Sequence, residues 1–91
     1  MQYSVESGIM QLCLGGRLDS ISAPELLMAW EAEKVVKTIE GIRIDCSGLE
    51  YISSAGIRLL QEIQARCTQG IMFSNVNHAV ERILKQKGFM V

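Results

Sequence analysis

Ninety-one residues, 48% of them hydrophobic and 21% charged, with a net charge of -1, have room for one domain around one modest core. A chain this small does not enclose a deep cavity without giving up much of that core, which counts against a self-contained enzyme. No Lys/Arg cluster is large enough to neutralise many phosphates, which excludes duplex DNA or RNA as an expected partner.

The longest apolar run, Leu26 to Trp30, is far too short to span a bilayer. The start, Met1-Gln2-Tyr3-Ser4-Val5-Glu6, lacks the basic residues and continuous apolar stretch of a signal peptide. The expectation is a cytoplasmic chain with no direct membrane insertion. Cys13, Cys46 and Cys67 form no CxxC pair and His78 is the single histidine, so neither a metal site nor a cofactor is expected. The three thiols read as reduced, small apolar residues.

In chain order, Tyr3 and Val5 alternate with Gln2, Ser4 and Glu6, the period of a strand, and Glu6-Ser7-Gly8 reads as a hairpin turn. The next strand sets Ile9, Gln11 and Cys13 on one face and Met10, Leu12 and Leu14 on the other, as expected in the interior of a sheet. Gly15-Gly16-Arg17-Leu18-Asp19-Ser20 reads as a loop. Ser22 is a candidate N-cap, Pro24 suits a first turn, and Glu25 completes a capping-box spacing. The helix that follows carries Ala23, Leu26, Leu27 and Trp30 on one face and ends before Gly41.

Ile42 to Cys46 is the third strand, with Ser47-Gly48 as its stop. A second helix starts near Ser54, with Gly56, Leu59, Leu60, Ile63 and Cys67 on one stripe, and ends at Gly70. Ile71-Met72-Phe73 forms another short strand. Asn77 caps a third helix, whose Val80, Ile83 and Leu84 face inward and which Gly88 closes. Phe89-Met90-Val91 is expected as a last strand. The order β-β-α-β-α-β-α-β predicts a single α/β domain over residues 1–91: a mixed, mostly parallel sheet of four to five strands with three helices and right-handed crossovers.

The informative stretch is IRIDCSGLEYISSAGIRLL, residues 42–60. A strand leads through a short loop to two serines at a helix mouth. A hydroxyl there serves as an N-cap worth roughly 1 kcal/mol, or as a place for phosphate, because the first-turn N–H groups favour an anion.

Tyr51-Ile52-Ser53-Ser54-Ala55-Gly56-Ile57 resembles the signature of the STAS family, the sulfate-transporter and anti-sigma-factor-antagonist domain. Gly16-Arg17-Leu18-Asp19 resembles that family's loop after its second strand, and Asn77 with Ala79-Val80 and Arg82 fits its later helix. The resemblance covers nearly the whole chain. It implies a binding domain in which Ser54 is phosphorylated, and in which Asp19, Ser53, Gly56 and Arg58 belong to the partner surface. The implied partners are an anti-sigma factor with serine kinase activity, bound when Ser54 is unmodified, and a serine phosphatase that restores the complex. Transcription is then regulated indirectly. Ser53 stands where most phosphorylated members carry an acidic residue, Ala55 where Ser or Thr is frequent, and Arg58 where Gly is frequent. The alternative is a phosphorylation-independent STAS scaffold, a subunit of a lipid-transport or other signalling complex.

Tyr51 is expected to pack its ring under the serine loop, Trp30 to lie in the core, and His78 to be a solvated first-turn residue. Ser54 at a strand-to-helix turn resembles a nucleophile elbow, but Ile52-Ser53-Ser54-Ala55-Gly56 lacks the first glycine of G-x-S-x-G and His78 is the only candidate base. No enzyme activity is expected.

Overall fold

Alternation in the strands is the pattern that organises the molecule. In the computed structural model, which describes residues 1–36 and 38–91, Met10, Leu12 and Leu14 are buried while Gln11 and Cys13 are exposed. The same two-residue period puts Ile42, Ile44 and Cys46 inside and Arg43 outside. Each fully buried Met, Leu or Ile contributes about 1.5–3 kcal/mol. A one-residue slip would turn every one of them to water, so the register is strongly specified.

The elements are β1 (Gln2–Glu6), β2 (Ile9–Leu18), α1 (Ala23–Val36), β3 (Gly41–Ile52), α2 (Ser54–Arg66), β4 (Gly70–Ser74) and α3 (His78–Gln86). The sheet order is β1-β2-β3-β4. β1 and β2 are antiparallel, joined by a tight turn with positive φ at both Ser7 and Gly8. β2 with β3 and β3 with β4 are parallel. Met10 faces Ile42, and Ile42 faces Ile71, so the buried residues of three strands share one side of the sheet. The helices cover that side with Leu26 and Trp30 from α1, Leu60 and Ile63 from α2, and Val80 and Leu84 from α3. The opposite side, with Gln11, Cys13, Arg43 and Met72, is open to solvent. Among the described residues, no helix is long and apolar enough to cross a membrane, and no group of three or more His, Cys, Asp or Glu is placed to hold a metal.

The structure corrects the expected boundaries in four places. Gly15 to Leu18 is strand, not loop, and β3 runs past Ser47-Gly48 to Ile52. The two glycine-containing segments face each other, Gly15 opposite Gly48, and the pairing continues to Leu18 opposite Ile52 through two register shifts. Gly16 takes φ +68 there, a bulge conformation that glycine adopts without strain. The expected capping box at Ser22 does not form: its hydroxyl turns back to donate to the Arg17 carbonyl (2.6 Å) and to accept from the Asp19 N–H (2.9 Å).

The last correction is at the C-terminus, where Phe89-Met90-Val91 is not a strand. The Phe89 N–H donates to the Leu84 carbonyl at 3.0 Å, with Gly88 at φ +88, which closes α3 in a Schellman-type turn. The Phe89 ring is buried and meets Phe73 edge to face at 5.6 Å. Its N–H is spent on the helix end and is not available to a sheet ladder.

Candidate functional site

β3 delivers the chain to a junction that β2 holds in place. The Ser53 N–H donates to the Leu18 carbonyl at 2.9 Å, anchoring the start of α2 to the end of β2. Ser53 is extended (φ -86, ψ 174), and its hydroxyl accepts from the Gly56 N–H at 3.3 Å, the N-cap bond of α2. Ser54 is the first helical residue and is exposed. The two hydroxyls therefore meet different surroundings. Ser53 caps, and Ser54 presents a hydroxyl that has no protein partner among the described residues.

Gly56 is buried beneath this turn. A Cβ there would stand 2.5 Å from the Leu18 carbonyl oxygen and 3.1 Å from the Ile52 side chain. Its contribution to the surface is indirect: it lets the first turn of α2 lie directly on the end of β2. Asp19, at the same end of β2, is tied into the loop before α1. One carboxylate oxygen accepts from the N–H groups of Ile21 (3.0 Å) and Ser22 (3.1 Å), and the other lies 3.6 Å from Arg17. Those bonds, led by the Ser22 and Ile21 N–H groups, hold its carboxyl below the usual range. The half-exposed side chain keeps its charge near the site while fixing the loop.

Tyr51 does not pack under the serine loop. It is 44% exposed, and the Arg17 guanidinium lies over its ring, 4.8 Å from the centroid. The cause is strand register, since Arg17 and Tyr51 are partners across β2 and β3. Arg58, one turn into α2 from Ser54, is exposed on a crest between two grooves. The first, about 270 Å³, runs between α1 and α2 past Ala23, Pro24, Leu27 and Leu59. The second, about 430 Å³, holds Ser53 and Ser54 with Tyr51 on one wall and Gln86 and Lys87 at the end of α3 on the other. Lys87 joins the site because the end of α3 lines the same groove as the first turns of α2, a proximity that no spacing in the sequence signals. His78 is an exposed first-turn residue of α3, and Trp30 is core, 1% exposed.

A sheet with helices on one side, and a serine displayed where a strand hands over to a helix, is the arrangement of a small STAS-type domain. The chain belongs to that family: the model described as "Mlab, STAS domain" matches residues 1–90. Among solved structures, it is similar to the anti-sigma factor antagonist SpoIIAA in its unphosphorylated form. The TM-score is 0.73 at 16% identity, covering 92% of this chain and 80% of that one. An anti-sigma factor antagonist from Mycobacterium paratuberculosis matches with a TM-score of 0.77 at 22% identity, over 96% of this chain and 75% of that one. A sulfate transporter family protein from Wolinella succinogenes gives 0.74 at 20%, over 94% and 71%. At these identities the likeness establishes the fold. No curated protein matches the chain.

Proposed function

We propose that this STAS domain is an anti-sigma factor antagonist, a cytoplasmic binding protein and not an enzyme, whose partner is an anti-sigma factor with serine kinase activity. Unmodified, it binds that partner; phosphorylation of Ser54 releases it, and a serine phosphatase restores binding. The observation that carries the reading is the division of labour at the mouth of α2. The cap bond belongs to Ser53, so a phosphate on exposed Ser54 leaves the helix intact and alters only the surface. A first-turn phosphate is also on the favourable side of the helix dipole. The likeness to two antagonists supports the same reading.

The docking surface in this proposal comprises Ser54 and Arg58, flanked by Ser53 and Asp19 and shaped from below by Gly56. Ala23, Pro24 and Leu27, which line the groove shared with Arg58, supply apolar contact area. Incubation with the cognate kinase and ATP is expected to add one phosphoryl group, mapped to Ser54 by intact mass and peptide analysis. Modification confined to another residue would overturn the assignment. Ser54→Asp is expected to weaken partner binding at least about tenfold, roughly 1.4 kcal/mol, with an unchanged circular dichroism spectrum.

A second reading is a phosphorylation-independent scaffold in a lipid-transport or other complex. It is favoured by the Mlab description of the matching family and by Ser53 in place of an acidic residue before the target serine. It requires Ser54→Ala and Ser54→Asp to bind the partner equally.

A further inference from the structure

The groove that holds Ser54 has a charge pattern of its own. Two full charges line it, Arg58 on α2 and Lys87 at the end of α3, and both are cations; no carboxylate lines it, and Gln61 and Gln86 add amide donors. One acid on each of the two helices is engaged elsewhere. Glu62, one turn beyond Arg58, pairs with Arg66 at 3.7 Å, and Glu81 on α3 pairs with Lys85 at 3.1 Å. Among the described residues neither Arg58 nor Lys87 has an ion-pair partner. Arg58 lies four residues after Ser54, the spacing at which helical side chains meet. Lys87 faces the same space from the other wall.

We propose that a phosphoryl group on Ser54 is held by the chain itself, clamped between Arg58 and Lys87 across the groove between α2 and α3. The inference rests on Ser54 being the modified residue. A guanidinium forks onto phosphate oxygens and an ammonium adds a point charge, so the dianion finds two counter-charges on the walls of its own groove. The modification then does more than add a negative charge. The groove passes from two free cations to near neutrality, because phosphoserine carries about -1.5 to -2. A partner loses both basic contacts at once, and α3 becomes tied to α2 through the phosphate.

The test uses the full chain with phosphoserine incorporated at position 54 during synthesis, so that no kinase is needed and the result is independent of whether any kinase recognises the site. Phosphorus NMR titration reads the second phosphate pKa, which lies near 6 in an unstructured peptide. In the intact protein it is expected to fall by about half a unit or more below that of the Arg58→Ala/Lys87→Ala double variant. Each single variant should fall between them, and the difference should shrink in about 1 M salt. The double variant retains the helix mouth, so the comparison isolates the two side chains. Identical titrations in the intact protein and the double variant overturn the clamp. Full loss of the shift in one single variant, with none in the other, overturns its two-sided form.

Discussion

Ser53 and Ser54 are adjacent and chemically identical, and they differ in what their hydroxyls meet. Ser53 is extended and its oxygen takes the Gly56 N–H; Ser54 is already helical and its side chain faces water. Removing the first hydroxyl leaves an N–H of the first turn without its partner. Ser53→Ala is therefore expected to lose about 1 kcal/mol of stability in urea unfolding, while Ser54→Ala stays within about 0.5 kcal/mol. Equal losses would show that Ser54 shares the cap and is not free for modification. From the sequence, the resemblance pointed to Ser54 as the phosphate site, but the residue pattern did not say which of the two hydroxyls caps the helix. That depends on the residue at which the chain leaves β geometry, and the Ser53 N–H bond to the Leu18 carbonyl sets it from a segment 35 positions away. Asp19 was legible as a turn residue, and the structure adds its bonds to Ile21 and Ser22. Lys87 was not legible at all.

At the scale of elements, periodicity found three helices and four strands, because burial on one side of a sheet enforces a period that local sequence displays. The ends of β2 and β3 were hidden. Gly15-Gly16 and Ser47-Gly48 carry the composition of turns, yet they sit opposite one another and continue as a bulged parallel pair. Pairing between distant segments outweighed local propensity there. The final apolar trio failed for the converse reason: the N–H of its first residue, Phe89, is claimed by the end of α3. The extension of β2 and β3 matters for the site, since it carries Leu18 to the mouth of α2. Gly56→Ala tests that contact. The added Cβ would lie 2.5 Å from a backbone oxygen, which cannot swing aside as a side-chain tip would. The expected loss is about 1–3 kcal/mol, and the Ser53 and Ser54 amide resonances should shift in NMR spectra. Gly15→Ala is the control, because nothing lies within 4 Å of its would-be Cβ. A Gly56→Ala protein as stable as that control would mean that α2 does not rest on β2 as described.

For the whole molecule, the groups among the described residues that are displaced from their ordinary ionisation lie at opposite ends of the pH scale. Asp19 and Asp45 are held below the usual carboxylate value of 3.8, each chiefly by backbone N–H donors, from Ser22 and Ile21 for the first and from Ser47 for the second. A depressed carboxyl binds its proton more weakly in the folded state. Its contribution is complete above the unfolded pKa and is lost as pH falls below 3.8 through the lower folded value. Burial, with a smaller part from neighbouring Asp45, pushes the Cys46 thiol up from 9.0 to about 11, and burial raises Cys67 as well. These groups hold their protons more tightly when folded, so their contribution is complete below pH 9.0 and is lost as pH rises through the folded value. Stability measured by urea unfolding should thus be flat between about pH 5 and pH 8.5 and fall on both sides. On the alkaline side, Cys46 accounts for a loss of about 2 kcal/mol by pH 11. Cys46→Ala will lower the plateau, because it leaves a cavity in the core, but it should flatten the alkaline limb while leaving the acid limb unchanged. An alkaline limb of the same slope in that variant would mean that the Cys46 thiol is not what burial protonates. Thiol labelling at pH 8 gives an independent check: exposed Cys13 should react at once, and buried Cys46 and Cys67 only at the rate of opening.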